Sequence, residues 1–311
     1  MMMKTAVMTE IVPTGHLREL FGEQVLEHVS LAPYTSARIG GSADALVTVR
    51  NVDELAGAVQ TCWQHALPFT LLGSGSNVLV SDTGVRGIVI LNRAKAVDFR
   101  FGMQPTLRAE AGTVFSNLAH RAAAKGLTGL EWAIAVPGTV GGAVYGNAGA
   151  FGGDTAHSLI QAEILSESGR AWWPVEKLEY GYRTSVLKRA HGNVVVLTAE
   201  FTLQNGDPVE IQSVAEGFTE RRKATQPPGA SMGSMFKNPP GDFAGRLIEA
   251  AGLKGSRIGN AEISPVHGNF FVNVSETKSA DIKKLIDLAQ KTVFEKFGVR
   301  LELEVELVGE W

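Results

Sequence analysis

Cysteine is almost absent from this chain. Cys62 is the only one in 311 residues, which excludes an intrachain disulfide framework and a zinc site built on thiolates. Such a composition fits a reducing, cytoplasmic setting. No apolar run approaches the roughly 20 residues that a membrane-spanning helix needs. The opening MMMKTAVMTEIVPTGHLREL lacks the continuous apolar core of a signal peptide. Basic charge is not in excess, because the formal net charge is −3 at pH 7. No block of lysine and arginine interleaves with aromatics, so no nucleic-acid partner is expected. No His/Asp/Glu cluster has the spacing of a metal site, and His267 reads as a hydrogen-bonded structural residue.

Glycine, by contrast, is abundant. Residues 131–154, EWAIAVPGTVGGAVYGNAGAFGGD, concentrate it. Glycine is costly to order and gains little from burial. A flexible linker would be rich in Gly and Ser and poor in large apolar groups. Here Trp132, Ile134, Val136, Val140, Val144, Tyr145 and Phe151 interleave with the glycines. The stretch therefore reads as a packed loop whose bare N–H groups close on anionic oxygens.

The length predicts two or three domains, and 44% hydrophobic residues supply their cores. A loose start precedes a helix over 15–29 and a strand over 45–50. Asn51 or Asp53 caps a helix over 52–65, with Leu55, Val59 and Cys62 on its apolar face. The strands LPFTLLG, VLVSD and GIVILN complete a first α+β unit ending at residue 92. A second unit begins with the paired strands AVDFRF and TLRAEAG. Thr113 caps a helix over 114–125, and NVVVLTAEFTL reads as a central strand. A third unit opens with a helix over 208–223 that ends in Arg221, Arg222 and Lys223. The Pro/Gly-rich connection TQPPGASMGSMFKNPPG leads to a short helix with Asp242 as cap and Gly252 as stop. The tail VRLELEVELVG alternates apolar residues with Glu302, Glu304 and Glu306, as a closing strand does.

A second loop carries chemistry. GSGSN at 73–77 lies between predicted strands. A Rossmann fingerprint would need a third glycine where Val78 stands, and a helix after it. The loop instead offers Ser74, Ser76 and Asn77, small donors suited to pyrophosphate oxygens. Two glycine-rich, donor-rich loops in one chain point to a dinucleotide.

GSGSN at 73–77, followed by PGTVGGAVYGNAGAFG at 137–152, resembles the FAD domain of the vanillyl-alcohol-oxidase superfamily. YTSARIGG at 34–41, YGYRTS at 180–185, GSMFKNP at 233–239, RLIEAAGLKG at 246–255 and the terminal LEVELVG resemble, in that order, the motifs of the UDP-N-acetylenolpyruvoylglucosamine reductase family in its shorter, type II form. The likeness covers nearly the whole chain. It implies an NADPH-dependent oxidoreductase with non-covalent FAD, acting on a UDP-sugar in peptidoglycan precursor synthesis. The fold class it implies is α+β. A two-part FAD-binding region would span a small α+β subdomain over 1–92 and a larger mixed subdomain over 93–206. A separate α+β substrate-binding domain would occupy 207–298, with the strand over 299–311 returning to the active site. A cytoplasmic monomer or weak oligomer is expected.

In that family hydride goes to the terminal carbon of an enolpyruvyl double bond, and the adjacent carbon is then protonated. The resemblance makes Ser234 the proton donor, sets Arg183 against the substrate carboxylate and adds Glu304 as a third catalytic group. Alternation alone does not choose among Glu302, Glu304 and Glu306; the register to Gly309 selects Glu304. FAD would be held by Gly73, Ser74, Gly75, Ser76 and Asn77, and by Pro137, Gly138, Thr139, Gly141, Gly142, Gly146 and Asn147. Substrate contacts would be Tyr182, Asn238 and Lys223, with Arg222 as a rival for the diphosphate. Two other readings are a flavin oxidase of the same superfamily and a non-catalytic flavin-binding relative.

Overall fold

Three sheets of four or five strands follow one another along the chain in the computed structural model, which describes residues 14–22, 24–189 and 194–311. Residues 1–13, read above as a loose start, lie outside the described residues.

The first sheet has four strands in the order Leu26–Ser30, Ser42–Val49, Val85–Asn92, Phe69–Leu72. Its three inner pairings differ in kind: Leu26–Ser30 is an antiparallel edge, and the other strands run parallel. Its helix, Val52–Gln64, starts where Asn51 accepts hydrogen bonds from the Asp53 and Glu54 N–H groups, which satisfies donors that a helix start leaves open. The helix buries Leu55, Val59 and Cys62, and burial pushes the Cys62 thiol up to about 12, so it is an inert core side chain. The helix expected over 15–29 is in fact Thr14–Phe21. Gly22, with φ of 76°, stops it, and LEHVS pairs as the edge strand because its burial alternates.

The second sheet is antiparallel, in the order Gly169–Pro174, Leu159–Ser166, Val194–Thr202, Thr106–Glu110, Val97–Arg100. The apolar run expected to be central is central. Helices Phe115–Ala123 and Val140–Gly146 pack on it through Leu118, Ala122, Val140 and Val144. Thr113 does not cap the first of these helices: Val114 holds that position, and the Thr113 hydroxyl is buried without a hydrogen-bond partner among the described residues. The helix Pro208–Thr225 also belongs to this core, through Ala215 and Phe218. Leu165, Val195 and Leu197 of this sheet share a further core with the helix Val52–Gln64, so the first two units are joined by apolar burial.

The third sheet, in the order Ala230–Ser234, Phe270–Asn273, Ala261–Ile263, Arg257–Ile258, is covered by the helices Ala244–Ala250 and Ser279–Phe297. Part of the Pro/Gly-rich connection is thus a strand. The C-terminal tail is not one continuous strand. Its first half packs Leu301 and Val305 into the third core and bridges Leu303 to Phe236. Its second half, Glu306–Val308, pairs in parallel with Val78–Val80 of the first unit. The tail therefore stitches the first unit to the third.

Candidate active site

The stitch brings together residues from four separate stretches. Glu304 N–H donates to the Met235 carbonyl at 2.9 Å, which sets it beside the strand that ends at Ser234. The Asn77 amide donates to the Glu304 carbonyl at 2.9 Å, and the Asn77 carbonyl accepts from Glu306 N–H at 3.0 Å. The Glu304 carboxylate accepts from Arg183 Nε at 2.7 Å. Ser234, Arg183 and Glu304 are thus gathered around one segment.

The three tail glutamates find three different cations. Glu302 meets Lys237 at 3.2 Å, Glu304 meets Arg183, and Glu306 meets Lys188 at 2.6 Å. Their side chains are 74%, 18% and 43% exposed in that order. Burial, which alternation could not supply, singles out Glu304. It raises the Glu304 carboxyl above its ordinary value, against the opposing pull of Arg183, Lys188 and Lys237. Lys188 and Lys237 were missed in the sequence, because charge pairs across distant segments leave no local pattern.

Arg183 sits at the tip of a turn closed by reciprocal bonds between Gly181 and Thr184. Its φ is 53°, an uncommon value for a residue with a side chain. Besides Glu304, it donates through Nη1 to the Asn147 carbonyl at 3.3 Å and through Nη2 to the Gly149 carbonyl at 2.5 Å. A guanidinium has five N–H donors, so these bonds leave part of the fork free. The Tyr180 hydroxyl, held to the Val144 carbonyl at 2.8 Å, anchors the same turn.

Ser234 ends its strand opposite Phe270 and is half-buried. The next residues are pinned by Asn269: its carbonyl accepts from Met235 N–H at 2.8 Å, and its amide makes two bonds to the Phe236 backbone at 2.9 and 2.8 Å. Gly233, the neighbour of Ser234, lines an open cleft of about 570 Å³, together with Ser36, Ser76, Pro137, Arg222 and Lys223 among others. Both rival cations reach it. Arg222 is the more buried of the two, which lowers its guanidinium pKa. Ser36 was not anticipated: its hydroxyl donates to the Ser231 carbonyl at 2.7 Å and its N–H to the Gly75 carbonyl at 3.0 Å. Tyr182 is 55% exposed, and its hydroxyl accepts from Asn238 N–H at 3.4 Å. Asn238 Oδ1 accepts from Ala244 N–H at 3.1 Å, starting the helix that Asp242 was expected to cap. Asp242 is bound instead to Phe243 N–H and paired with Arg246.

The two glycine-rich loops face each other. A Cβ on Gly73 would lie 2.5 Å from Thr139 Oγ1, and one on Gly138 would lie 2.9 Å from Ser76 Oγ. A Cβ on Gly75 would lie 2.3 Å from the Tyr34 carbonyl. Side chains would therefore fill or break this cradle, which is what close backbone approach to a pyrophosphate requires. The cradle fits FAD, with corrections to its expected donors. Gly141 N–H is committed to the Ala111 carbonyl at 2.8 Å, so this glycine serves helix–sheet packing. Gly146 closes the last turn of Val140–Gly146, where helical geometry takes its N–H. Asn77 and Asn147 spend their amides on other parts of the protein. Gly142 N–H, in the first turn, has no intrahelical partner.

The class is that of FAD-binding oxidoreductases. Residues 43–173 match the model of the FAD binding domain, and residues 224–308 match that of the UDP-N-acetylenolpyruvoylglucosamine reductase C-terminal domain. A UDP-N-acetylenolpyruvoylglucosamine reductase of Chloroflexus aggregans is 46% identical over 283 residues, 89% of this chain and 95% of that protein. One of Rubrobacter xylanophilus is 44% identical over 296 residues, covering 95% and 99%. The solved structure of the Thermus caldophilus enzyme of that name superposes with a TM-score of 0.77 at 36% identity, covering 90% of this chain and 97% of that one. The chain belongs to the UDP-N-acetylenolpyruvoylglucosamine reductase family. Among the described residues, no helix is long and apolar enough to cross a membrane, and no cluster of His, Cys, Asp and Glu is arranged to hold a metal.

Proposed function

We propose that the chain reduces UDP-N-acetylglucosamine enolpyruvate to UDP-N-acetylmuramate, with NADPH as reductant and non-covalent FAD as cofactor. This is a step of peptidoglycan precursor synthesis, carried out in the cytoplasm by a monomer or weak oligomer. Family membership and the FAD-domain match support the reaction. The observation that carries the residue roles is the Arg183–Glu304 pair, held beside the strand of Ser234.

When bound, FAD supplies the redox centre through which the electrons of NADPH reach the enolpyruvyl double bond. Gly73, Ser74, Gly75, Ser76, Pro137, Gly138, Thr139 and Gly142 would hold its pyrophosphate. Asn77, Gly141 and Gly146 would support that wall from behind.

Arg183 receives the substrate carboxylate on the free part of its fork and stabilises the negative charge that grows there. Ser234 gives its hydroxyl proton to the carbon next to that carboxylate. Glu304 keeps its own proton to higher pH than an ordinary glutamate and donates a hydrogen bond to the charged intermediate. Arg222 and Lys223 take the diphosphate, and Tyr182 and Asn238 take the sugar nucleotide. The cofactor region is 1–92 with 93–206, roofed by the helix Pro208–Thr225. The rest of 207–298 forms the substrate domain, and 299–311 returns to the site.

The test is direct. The purified protein should be yellow, should bleach anaerobically with NADPH, and should regain colour with the UDP-linked enolpyruvyl sugar. Colour regained only with oxygen would point to an oxidase, and a protein without FAD affinity would overturn the proposal.

A further inference from the structure

The Asn147 side chain has no part in the roles proposed above, yet it is engaged on every side. It ends the helix Val140–Gly146 in the left-handed region, with φ of 48° and ψ of 61°, a conformation that asparagine tolerates better than other residues with a side chain. It is 5% exposed. Its Oδ1 accepts from Ala156 N–H at 3.0 Å. Its Nδ2 donates to the Gly181 carbonyl at 3.0 Å, the base of the turn that carries Arg183. Its backbone carbonyl accepts from Arg183 Nη1 at 3.3 Å. One residue thus grips the turn at its base and receives the guanidinium from its tip.

We propose that Asn147 is a positioning residue for Arg183, and not a ligand of the cofactor. The inference rests on the role given to Arg183 under the proposed function. A guanidinium acts through the direction of its planar fork, so it needs a fixed backbone and fixed acceptors. The left-handed turn at Asn147 aims one acceptor carbonyl, and the amide fixes the distance between that carbonyl and the turn. Gly149 completes the socket: a Cβ there would lie 3.1 Å from Arg183 Nη1, so the guanidinium packs against bare backbone. Glu304 closes the third side at 2.7 Å. The left-handed φ of 53° at Arg183 is then maintained by bonds at both ends of its turn.

Two variants separate this role from a structural one. Asn147→Gly keeps the left-handed backbone and removes the amide. Asn147→Asp keeps the acceptor for Ala156 and loses the donor to Gly181. In holoenzyme of either variant, FAD content and anaerobic bleaching by NADPH should stay near wild type. Reoxidation by the UDP-linked enolpyruvyl sugar should slow on the order of 10²-fold, the cost of misplacing a reacting group. In ¹⁵N-arginine-labelled protein, the Nε–H signal that disappears in Arg183→Lys should shift and exchange faster with water. Lost FAD affinity with an unmoved Arg183 signal would overturn the proposal in favour of a cofactor ligand. Wild-type behaviour in both assays would overturn it outright. If the wild-type protein itself fails to reduce the enolpyruvyl sugar, the proposed function falls, while the Arg183 signal still reports whether Asn147 sets its position.

Discussion

Arg183 Nε donates to Glu304 Oε1 at 2.7 Å, across 121 residues of sequence. The bond joins a turn of the second unit to the tail that links the first unit with the third. Arg183 holds three internal acceptors in three directions, which a lysine ammonium on a flexible stem does not reproduce. Arg183→Lys should therefore slow enolpyruvyl reduction on the order of 10²- to 10³-fold, the range for losing a charge-stabilising donor. Single-turnover reoxidation of the reduced flavin measures it. A loss below tenfold would remove Arg183 from the chemistry.

Glu304 gives a pH prediction with a definite sign. Burial raises its carboxyl above the ordinary value of 4.5. The folded state thus binds its proton more tightly than the unfolded state. Stability from this group is fully present below about 4.5 and is lost as pH rises through the raised folded value. Glu304→Gln abolishes that loss, so the Tm of the variant should gain on wild type as pH rises from 4.5 through the raised folded value. Enolpyruvyl reduction by wild type should fall over the same rise, while flavin reduction by NADPH should not follow it. A Tm difference independent of pH, or falling with it, would contradict the raised carboxyl.

Much of the fold was legible because it is local. The mixed glycine and apolar pattern of residues 131–154 marked packed backbone, although the helix Val140–Gly146 within it was read as loop, and Val194–Thr202 marked a central strand. What stayed hidden depends on partners far away in sequence. The helix of Pro208–Thr225 looked like the start of the third unit, but Ala215 and Phe218 pack into the second core. Nothing within VRLELEVELVG tells that its halves join different units. The candidate site residues could be named through motif resemblance. Their pairing could not, since neither Arg183 nor Glu304 carries a trace of the other. Alternation leaves Glu302, Glu304 and Glu306 equivalent; the motif register to Gly309 picks Glu304, and its physical distinction is the burial and pairing it gains beside Met235 and Arg183.

The cradle predicts a rescue. Gly73→Ala would set a methyl 2.5 Å from Thr139 Oγ1, and the three nearest atoms all belong to the Thr139 side chain. Gly73→Ala alone should weaken FAD binding about tenfold, a difference of about 1.4 kcal/mol. Adding Thr139→Ala removes the clash and should restore most of the affinity, read by titrating apoprotein with FAD and following flavin fluorescence. A double variant worse than the single one would show the Thr139 hydroxyl to be a direct cofactor contact instead.

The last prediction concerns the joint between units. The helix Ser279–Phe297 of the third unit has no cap from its own Lys278 side chain. Asp82, from the first unit, supplies one: it accepts from Ser279 N–H at 2.8 Å and from Ala280 N–H at 2.9 Å. The Ser279 hydroxyl also donates to the Val80 carbonyl. Asn51 provides the control, because it caps Val52–Gln64 from within its own segment. Asn51→Ala and Asp82→Ala should each cost about 1 kcal/mol, the usual value for a lost cap. Only Asp82→Ala also loosens the contact between units. It should therefore speed limited proteolysis across residues 226–229, which connect the second unit to the third, at a temperature where the cores stay folded. Equal proteolysis in the two variants would reduce Asp82 to an ordinary cap.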